Sequence, residues 1–434
     1  MNSLKQEQVH ISLLGGFIWL LAAIFFLYEF FLRTFVGTVA HQIIPDLHLS
    51  LEQFSLLGTA YFVAYGFMQI PVGILCDKFG AKKMMIFATF ICAFATFLFA
   101  HAVSFATAFL SRFLMGFGSS FAFVCLLVIT LNWFPRKYFG FFAGASQFVG
   151  TMGPLLAAGP LMSAMLALHE SWRSALAQTA SFGIVLAILI LLFVKNKPAR
   201  QEKQIIFLKK YESIKIQLKR LVRNNQAWLV AFYSALVYIA IALLAAVWGT
   251  DYLEAKGFQQ TNAAYIISIS WIGYAIGCPV LGIISDTMRR RKPVLIFAAI
   301  LGLISMLLIT FWPNAVFGIF SFAFFGLGVA ASGQNIGFAT ITEQVDSRIR
   351  STALGLNNGT IVLFSSIMPP VSGWLLEASA KSHANNLVSA DFLWVFLVLI
   401  FFYFAAFIIS SIFLKETYCK PQKEVDFLIF SRNP

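Results

Sequence analysis

Charge is what this sequence has least of: Asp, Glu, Lys and Arg together make up 11% of its 434 residues, against 59% hydrophobic residues and a mean hydropathy of +0.82. Soluble domains carry roughly 25% charged and 45–50% apolar residues, so a water-soluble fold is excluded. The apolar/polar alternation that marks a membrane β-barrel is missing as well. Cysteine is sparse and scattered (Cys76, Cys92, Cys125, Cys278, Cys419), with no CxxC or Cys/His spacing suited to zinc or a redox centre. The chain has no nucleophile with a matched base, no metal cluster and no phosphate-cradling glycine loop. An enzyme, a catalytic residue, a metal site and a cofactor are therefore all unexpected. The first apolar stretch has no small-residue cleavage site and continues through Tyr28-Glu29-Phe30-Phe31-Leu32-Arg33, which reads as a retained helix rather than a signal peptide.

Long hydrophobic runs, by contrast, recur along the whole chain. A helix needs about 20 mostly apolar residues to cross a bilayer. Such runs, bounded by charge, Gly or Pro, cover 14–42, 52–75, 83–101, 104–133, 138–166 and 172–194, then 226–251, 260–285, 293–311, 314–341, 350–378 and 390–414. Twelve spans predict an all-α membrane protein of two pseudo-symmetric six-helix bundles, 1–194 and 225–434, joined by a cytoplasmic basic linker at 195–224. The net charge of +13 would suggest nucleic acid in a soluble protein. Here most basic residues fall in the termini and alternate loops, the positive-inside asymmetry. The reading is therefore a multi-pass bacterial inner-membrane protein with both termini cytoplasmic, in contact with lipid and not with nucleic acid.

Between the halves, Lys195 to Arg223 carries ten Lys/Arg against two Glu. Phe207, Tyr211, Ile214, Leu218 and Leu221 recur within it at helical spacing, as in an amphipathic helix on the anionic inner leaflet or a plain solvated linker. The turn from His41 to Glu52 holds no Lys or Arg and belongs outside. Its His41 and His48 either sense external pH or are ordinary surface histidines.

A motif occurs twice. Gly73-Ile-Leu-Cys-Asp77-Lys-Phe-Gly80-Ala-Lys82-Lys83 follows span 2, and Gly282-Ile-Ile-Ser-Asp286-Thr-Met-Arg289-Arg290-Arg291-Lys292 follows span 8, each Gly and Asp offset by 209 residues. Gly permits close helix approach, and Asp accepts hydrogen bonds from a neighbouring helix N-terminus and from basic residues, so each copy can act as a latch. This resembles the G-x-x-x-D-x-x-G-x-[KR]-[KR] signature of the major facilitator superfamily, over essentially the whole chain, with Arg289 standing where the first copy has Gly80. Arg112-Phe-Leu-Met-Gly116-Phe-Gly118 in span 4 resembles the same family's R-x-x-x-G-x-G pattern, answered by Gly326-Leu-Gly328 without the arginine. Gly150, Gly153-Pro154 and Gly159-Pro160 in span 5 serve close packing or bending. Tyr28-x-x-x-x-Arg33 followed by Pro45-Asp46 is similar to sugar-phosphate-permease-like and anion:cation symporter members. The resemblance implies two halves that rock about a midplane site, each conformation opening one side only.

Ionisable residues inside membrane spans are costly unless paired or wetted, which makes them informative. Glu29 and Arg33 lie i,i+4 on one helix face, and Arg112 in span 4 sits at a comparable depth. Together they form an expected cluster of two positives and one negative, suited to clasping a carboxylate or phosphate. Arg33 is the expected substrate ligand, and Glu29 with Arg112 the expected proton-coupling pair; the same residues would serve equally as a fixed strut. Tyr28, Tyr61 and Tyr65 add hydrogen-bonding groups in the first half, Tyr61, Tyr65 and Gln69 forming a stripe at i, i+4 and i+8. Tyr238, Trp271, Tyr274, Gln334, Asn335, Asn357 and Asn358 supply neutral ones in the second.

The leading reading is a secondary transporter that works as a monomer. It moves a small anionic or zwitterionic metabolite (amino acid, peptide, organic acid or sugar phosphate) together with protons, in the direction of import. Efflux of amphipathic compounds through an aromatic cavity, drawing on 49 Phe and nine Trp, is the alternative within the same architecture. A transporter-like membrane sensor is the alternative of another class.

Overall fold

The computed structural model describes residues 12–158, 171–196, 214–380 and 388–420, and among these every regular element is helical. Eleven helices within this set are long and apolar enough to cross a membrane. Their starts follow from side-chain chemistry: the first N–H groups of a helix lack an intrahelical acceptor, and Ser, Thr or Asn supplies one. Ser12 Oγ accepts from Gly15 N at 2.9 Å, and Asn224 Oδ1 from Ala227 N at 3.1 Å. Ser50 and Gln53 cap the second span reciprocally.

The first span closes at Thr38, short of the expected residue 42, and Ala40–Asp46 forms a separate short helix. The second, third, fourth and sixth spans are Leu51–Phe79, Ala81–Ala100, Phe105–Trp133 and Trp172–Phe193. The fifth is the Phe139–Ala158 helix, where Gly144, Ser146, Gln147, Gly150 and Thr151 lower the hydropathy. Its expected outer part, with Gly159 and Pro160, lies outside the described residues. In the second half Asn225–Leu243 passes through a π turn, Leu244–Trp248, into Gly249–Ala255. Then follow Gln260–Met288, Lys292–Phe311, the pair Phe317–Ala331 and Gly333–Glu343 meeting at Ser332, Arg350–Ala380 and Leu393–Ile408. In the basic linker, Phe207 and Tyr211 lie outside the described residues. Ile214–Val222 is helical, with Leu221 buried and Ile216 and Val222 exposed.

The chain divides into two compact units, Met1–Phe139 with Val149–Gln217, and Gly140–Phe148 with Leu218–Pro434. In the first, Phe26 stacks on Phe123 at 4.7 Å between ring centroids, joining the first and fourth spans. In the second, Tyr252 packs edge-on to Phe392 and Phe396 and donates its hydroxyl proton to Ile309 O.

Where polar side chains must meet inside a bundle, backbones have to approach closely. At Gly116 a Cβ would lie 2.1 Å from the carbonyl oxygen of Tyr61, so the fourth span runs against the second with no side chain between them and fixes Tyr61 in position. Overpacking at a backbone contact costs about 1–3 kcal/mol or more. Gly116→Val is therefore expected to lose most of its monodisperse peak in size-exclusion chromatography of detergent extracts. Gly16→Val, whose Cβ meets nothing within 4 Å, retains it.

Candidate functional site

The first and second spans bring together one ion pair and its aromatic surround. One turn of helix separates Glu29 from Arg33, and Arg33 Nη2 pairs with Glu29 Oε1. Glu29 is fully buried, whereas the Arg33 side chain keeps 19% of its surface exposed. Tyr61, held by the Gly116 crossing, donates its hydroxyl proton to the same Oε1 at 3.0 Å. The Arg33 guanidinium carbon lies 4.3 Å from the Phe30 ring centre, 4.7 Å from Tyr65 and 6.0 Å from Phe62. A cation held between ring faces gains about 0.5–2 kcal/mol from the ring quadrupoles. Among the described residues, the second carboxylate oxygen Glu29 Oε2 and the Arg33 Nε–H are buried without a hydrogen-bond partner. One acceptor and one donor are thus unspent within a single helical turn.

Arg112 departs from expectation. Its guanidinium does not join Glu29: Nη1 donates to Leu32 O at 2.7 Å, Nη2 to Arg33 O at 3.4 Å and Nε to Leu57 O at 3.3 Å. It is 1% exposed and lies 4.6 Å from the Tyr61 ring centre. Peptide carbonyls and a ring face satisfy this charge, so the expected cluster of three resolves into a pair and a separate strut tying the fourth span to the first and second. Tyr28 also turns away from the pair, its hydroxyl buried against Gly183 and Ala93 and its ring 5.7 Å from that of Phe182. Tyr65 stacks nearly parallel to Tyr61 at 6.2 Å, and Gln69 Nε2 donates to Tyr65 O at 3.1 Å, so the stripe on the second span is one continuous face.

The second unit brings Tyr238, Trp271, Tyr274, Gln334 and Asn335 together beside the π turn. Trp271 Nε1 donates to Ala245 O, within the π turn, at 3.4 Å. The Trp271 ring meets Tyr274 edge-on at 6.1 Å, and Tyr238 packs on Tyr274 at 5.8 Å. Gln334 Nε2 donates to Tyr274 OH, and Asn335 Nδ2 to Cys278 Sγ at 2.6 Å. Asn357 is fully buried with neither amide atom hydrogen-bonded among the described residues, and Asn358 beside it in sequence is also buried.

The two motif copies differ. In the first, Gly73 is buried, Asp77 half-buried and Lys83 exposed. Gly80 ends the helix at φ +85°, a conformation that favours glycine, and Lys82 N donates to Asn196 Oδ1 at 2.8 Å. In the second, Gly282 allows Asp286 to accept from Gly140 N at 3.3 Å and Phe141 N at 2.8 Å, the first amides of the Phe139–Ala158 helix. The arginine that meets Asp286 is neither Arg289 nor Arg290, both exposed, but Arg291, 1% exposed. Arg291 pairs with Asp286 at 2.6 Å and with Glu343 at 2.8 Å. Glu343 accepts from Thr417, and Glu416 accepts from the backbone N–H groups of Arg291 and Lys292 at 2.8 and 3.1 Å. Burial works against the charge on Arg291, and Glu343 with Asp286 more than reverses it, so its pKa lies above the ordinary arginine value.

The repeated motif runs through Arg291, but the expected latch residues end at Arg290 and leave out Glu343, Glu416 and Thr417. The signal available was an acid closing the tenth span, opposite a run of arginines.

The sequence profile of the Major Facilitator Superfamily matches residues 18–336 and, in a second alignment, 235–427. The chain belongs to this superfamily. It is a multi-pass membrane protein of a transporter family and not an enzyme. It is 25% identical over 391 residues to the "Probable sulfoacetate transporter SauU" of Cupriavidus necator, covering 84% of this chain and 87% of that one. To the membrane sensor protein UhpC of Escherichia coli it is 26% identical over 384 residues, 83% of each chain. The fold is shared with the proton:xylose symporter XylE, with a TM-score of 0.70 at 16% identity over 96% of this chain and 100% of that one.

Removing one partner of a buried ion pair costs about 3–5 kcal/mol because the other charge is stranded. Arg291→Ala, which strands both Asp286 and Glu343, is expected to lower the thermal unfolding midpoint in detergent by several degrees. Arg289→Ala at the exposed turn should leave it nearly unchanged; equal midpoints for the two variants would contradict the network.

Proposed function

We propose that this chain is a secondary active transporter that imports a small metabolite bearing an oxyanionic head group, by alternating access and together with a proton. The observation that carries the reading is the Glu29–Arg33 pair, buried in the first span, ringed by Phe30, Tyr61, Phe62 and Tyr65, and holding one free donor edge. A guanidinium clasps carboxylate, sulfonate or phosphate through paired N–H groups. When Arg33 turns to such a group, Glu29 loses its counter-charge inside a low-dielectric bundle and has to gain a positive charge; the proton is the smallest available, and Tyr61 keeps the carboxyl oriented. The likeness to a protein named as a sulfoacetate transporter supports an oxyanion as the recognised group.

In this reading the Asp286–Arg291–Glu343 network breaks and re-forms during the transport cycle. The protein works as a monomer in the bacterial inner membrane with both termini cytoplasmic. A second reading, a sensor that binds without flux, is favoured by the likeness to the sensor UhpC.

The test is uptake of a panel of labelled organic acids, amino acids and sugar phosphates by proteoliposomes, with and without an imposed pH gradient. The native protein is expected to accumulate at least one of them against its gradient. Arg33→Ala should lose that uptake by a hundredfold or more, and Glu29→Gln should retain exchange of internal for external substrate while losing accumulation. Gradient-driven accumulation by Glu29→Gln would refute proton carriage by that residue. Saturable binding without flux in the native protein would replace transport by sensing.

A further inference from the structure

More than four residues from their ends, the described membrane helices carry two basic side chains, Arg33 and Arg112. Had both faced the site, as their depth in the sequence suggests, two positive charges would stand against Glu29, and a dianion such as a phosphate monoester or a dicarboxylate would be the matching ligand. The geometry removes Arg112 from that count: each of its three nitrogens donates to a peptide carbonyl, and it is sealed between the first, second and fourth spans. What stays available is one guanidinium, with one unspent Nε–H, and one carboxylate, with one unspent oxygen. The groups around Glu29 are Arg33 on its own helix, Tyr61 and Tyr65 from the Leu51–Phe79 helix, and Cys92 from the Ala81–Ala100 helix. Phenols and thiols are neutral at pH 7, so Glu29 is the single proton acceptor of the set.

Resting on the transporter reading above, we infer that the substrate is a monoanion with one oxyanionic group, carried with one proton in an electroneutral cycle. The anion replaces the Glu29 carboxylate on Arg33, and the displaced carboxylate takes one proton. The site therefore holds the same total charge, zero, whether empty or loaded. A second negative group on the substrate would find no further basic side chain more than four residues from the ends of the described membrane helices once Arg112 is committed to carbonyls; a buried unpaired charge of this kind is strongly disfavoured. The inference sets this chain apart from a relative named for sulfoacetate, which has two acidic groups.

The experiment uses the purified full chain in proteoliposomes loaded with a pH-sensitive dye, the membrane potential clamped by valinomycin and potassium. Probes are matched pairs differing by one acidic group: gluconate against glucarate, and lactate against malate. At least one monoanion is expected to enter tenfold or more faster than its dianionic partner. One proton should appear in the lumen per anion, and the rate should change less than twofold between 0 and −100 mV, about the potential range over which a single moved charge would register. Preference for the dianion, or a severalfold dependence on voltage, overturns this inference and leaves the transporter reading standing. Uptake confined to uncharged or zwitterionic solutes overturns it as well, while absence of any flux overturns both.

Discussion

A charge inside the hydrocarbon has no water to turn to, and among the described residues the arrangement of the first bundle follows from how Glu29, Arg33 and Arg112 are answered. Glu29 and Arg33 answer each other across one helical turn, with Tyr61 as a further donor. Among the described residues Arg112 meets no carboxylate and is answered by three peptide oxygens and the face of Tyr61. The first answer is exchangeable, because a carboxylate on a partly exposed arginine can be replaced by another anion. The second is not, because its acceptors belong to the backbones of two helices, so breaking it would separate those helices. In the proposed cycle one arginine takes part, while the other holds the frame in which it works.

The two motif copies also divide between exchangeable and fixed contacts. In the second copy, Arg291 is held by two carboxylates, and Asp286 is shared between that arginine and the first amides of the Phe139–Ala158 helix. A carboxylate shared between a helix N-terminus and a guanidinium can release the helix without becoming unpaired. Glu416 and Thr417 extend the network into the segment following the last span, so residues 414–420 are tied to the loop that bears the arginines. The first copy ends instead on Gly80 and on a backbone hydrogen bond to Asn196.

The number and rough positions of most spans, the i,i+4 relation of Glu29 and Arg33, and the Tyr61–Tyr65–Gln69 face were legible in the sequence, because each follows from local periodicity, whereas the early end of the first span at Thr38 was not. The partners of Arg112 were not legible. Depth along a helix places a guanidinium but does not say toward which neighbour it points, and that depends on the rotation of the fourth span set by its contact at Gly116. Likewise Tyr28, adjacent to Glu29, is turned about 100° round the helix and faces Gly183 and Ala93. The choice of Arg291 over Arg289 and Arg290 was hidden for a backbone reason: Arg289 adopts φ 52°, which ends the helix and folds the third arginine back over Asp286. Nothing in residue type distinguishes three consecutive arginines, whereas one left-handed residue does.

The central claim is that Glu29 and Arg33 neutralise each other in the resting bundle, and a double-mutant cycle of thermal stability in lipid nanodiscs tests it most directly. Glu29→Gln strands the arginine, Arg33→Gln strands the carboxylate, and the double variant strands neither. The account predicts that each single variant unfolds at a clearly lower temperature and that the double variant recovers most of the loss. Strictly additive losses would show that the two side chains do not depend on each other, and would contradict it.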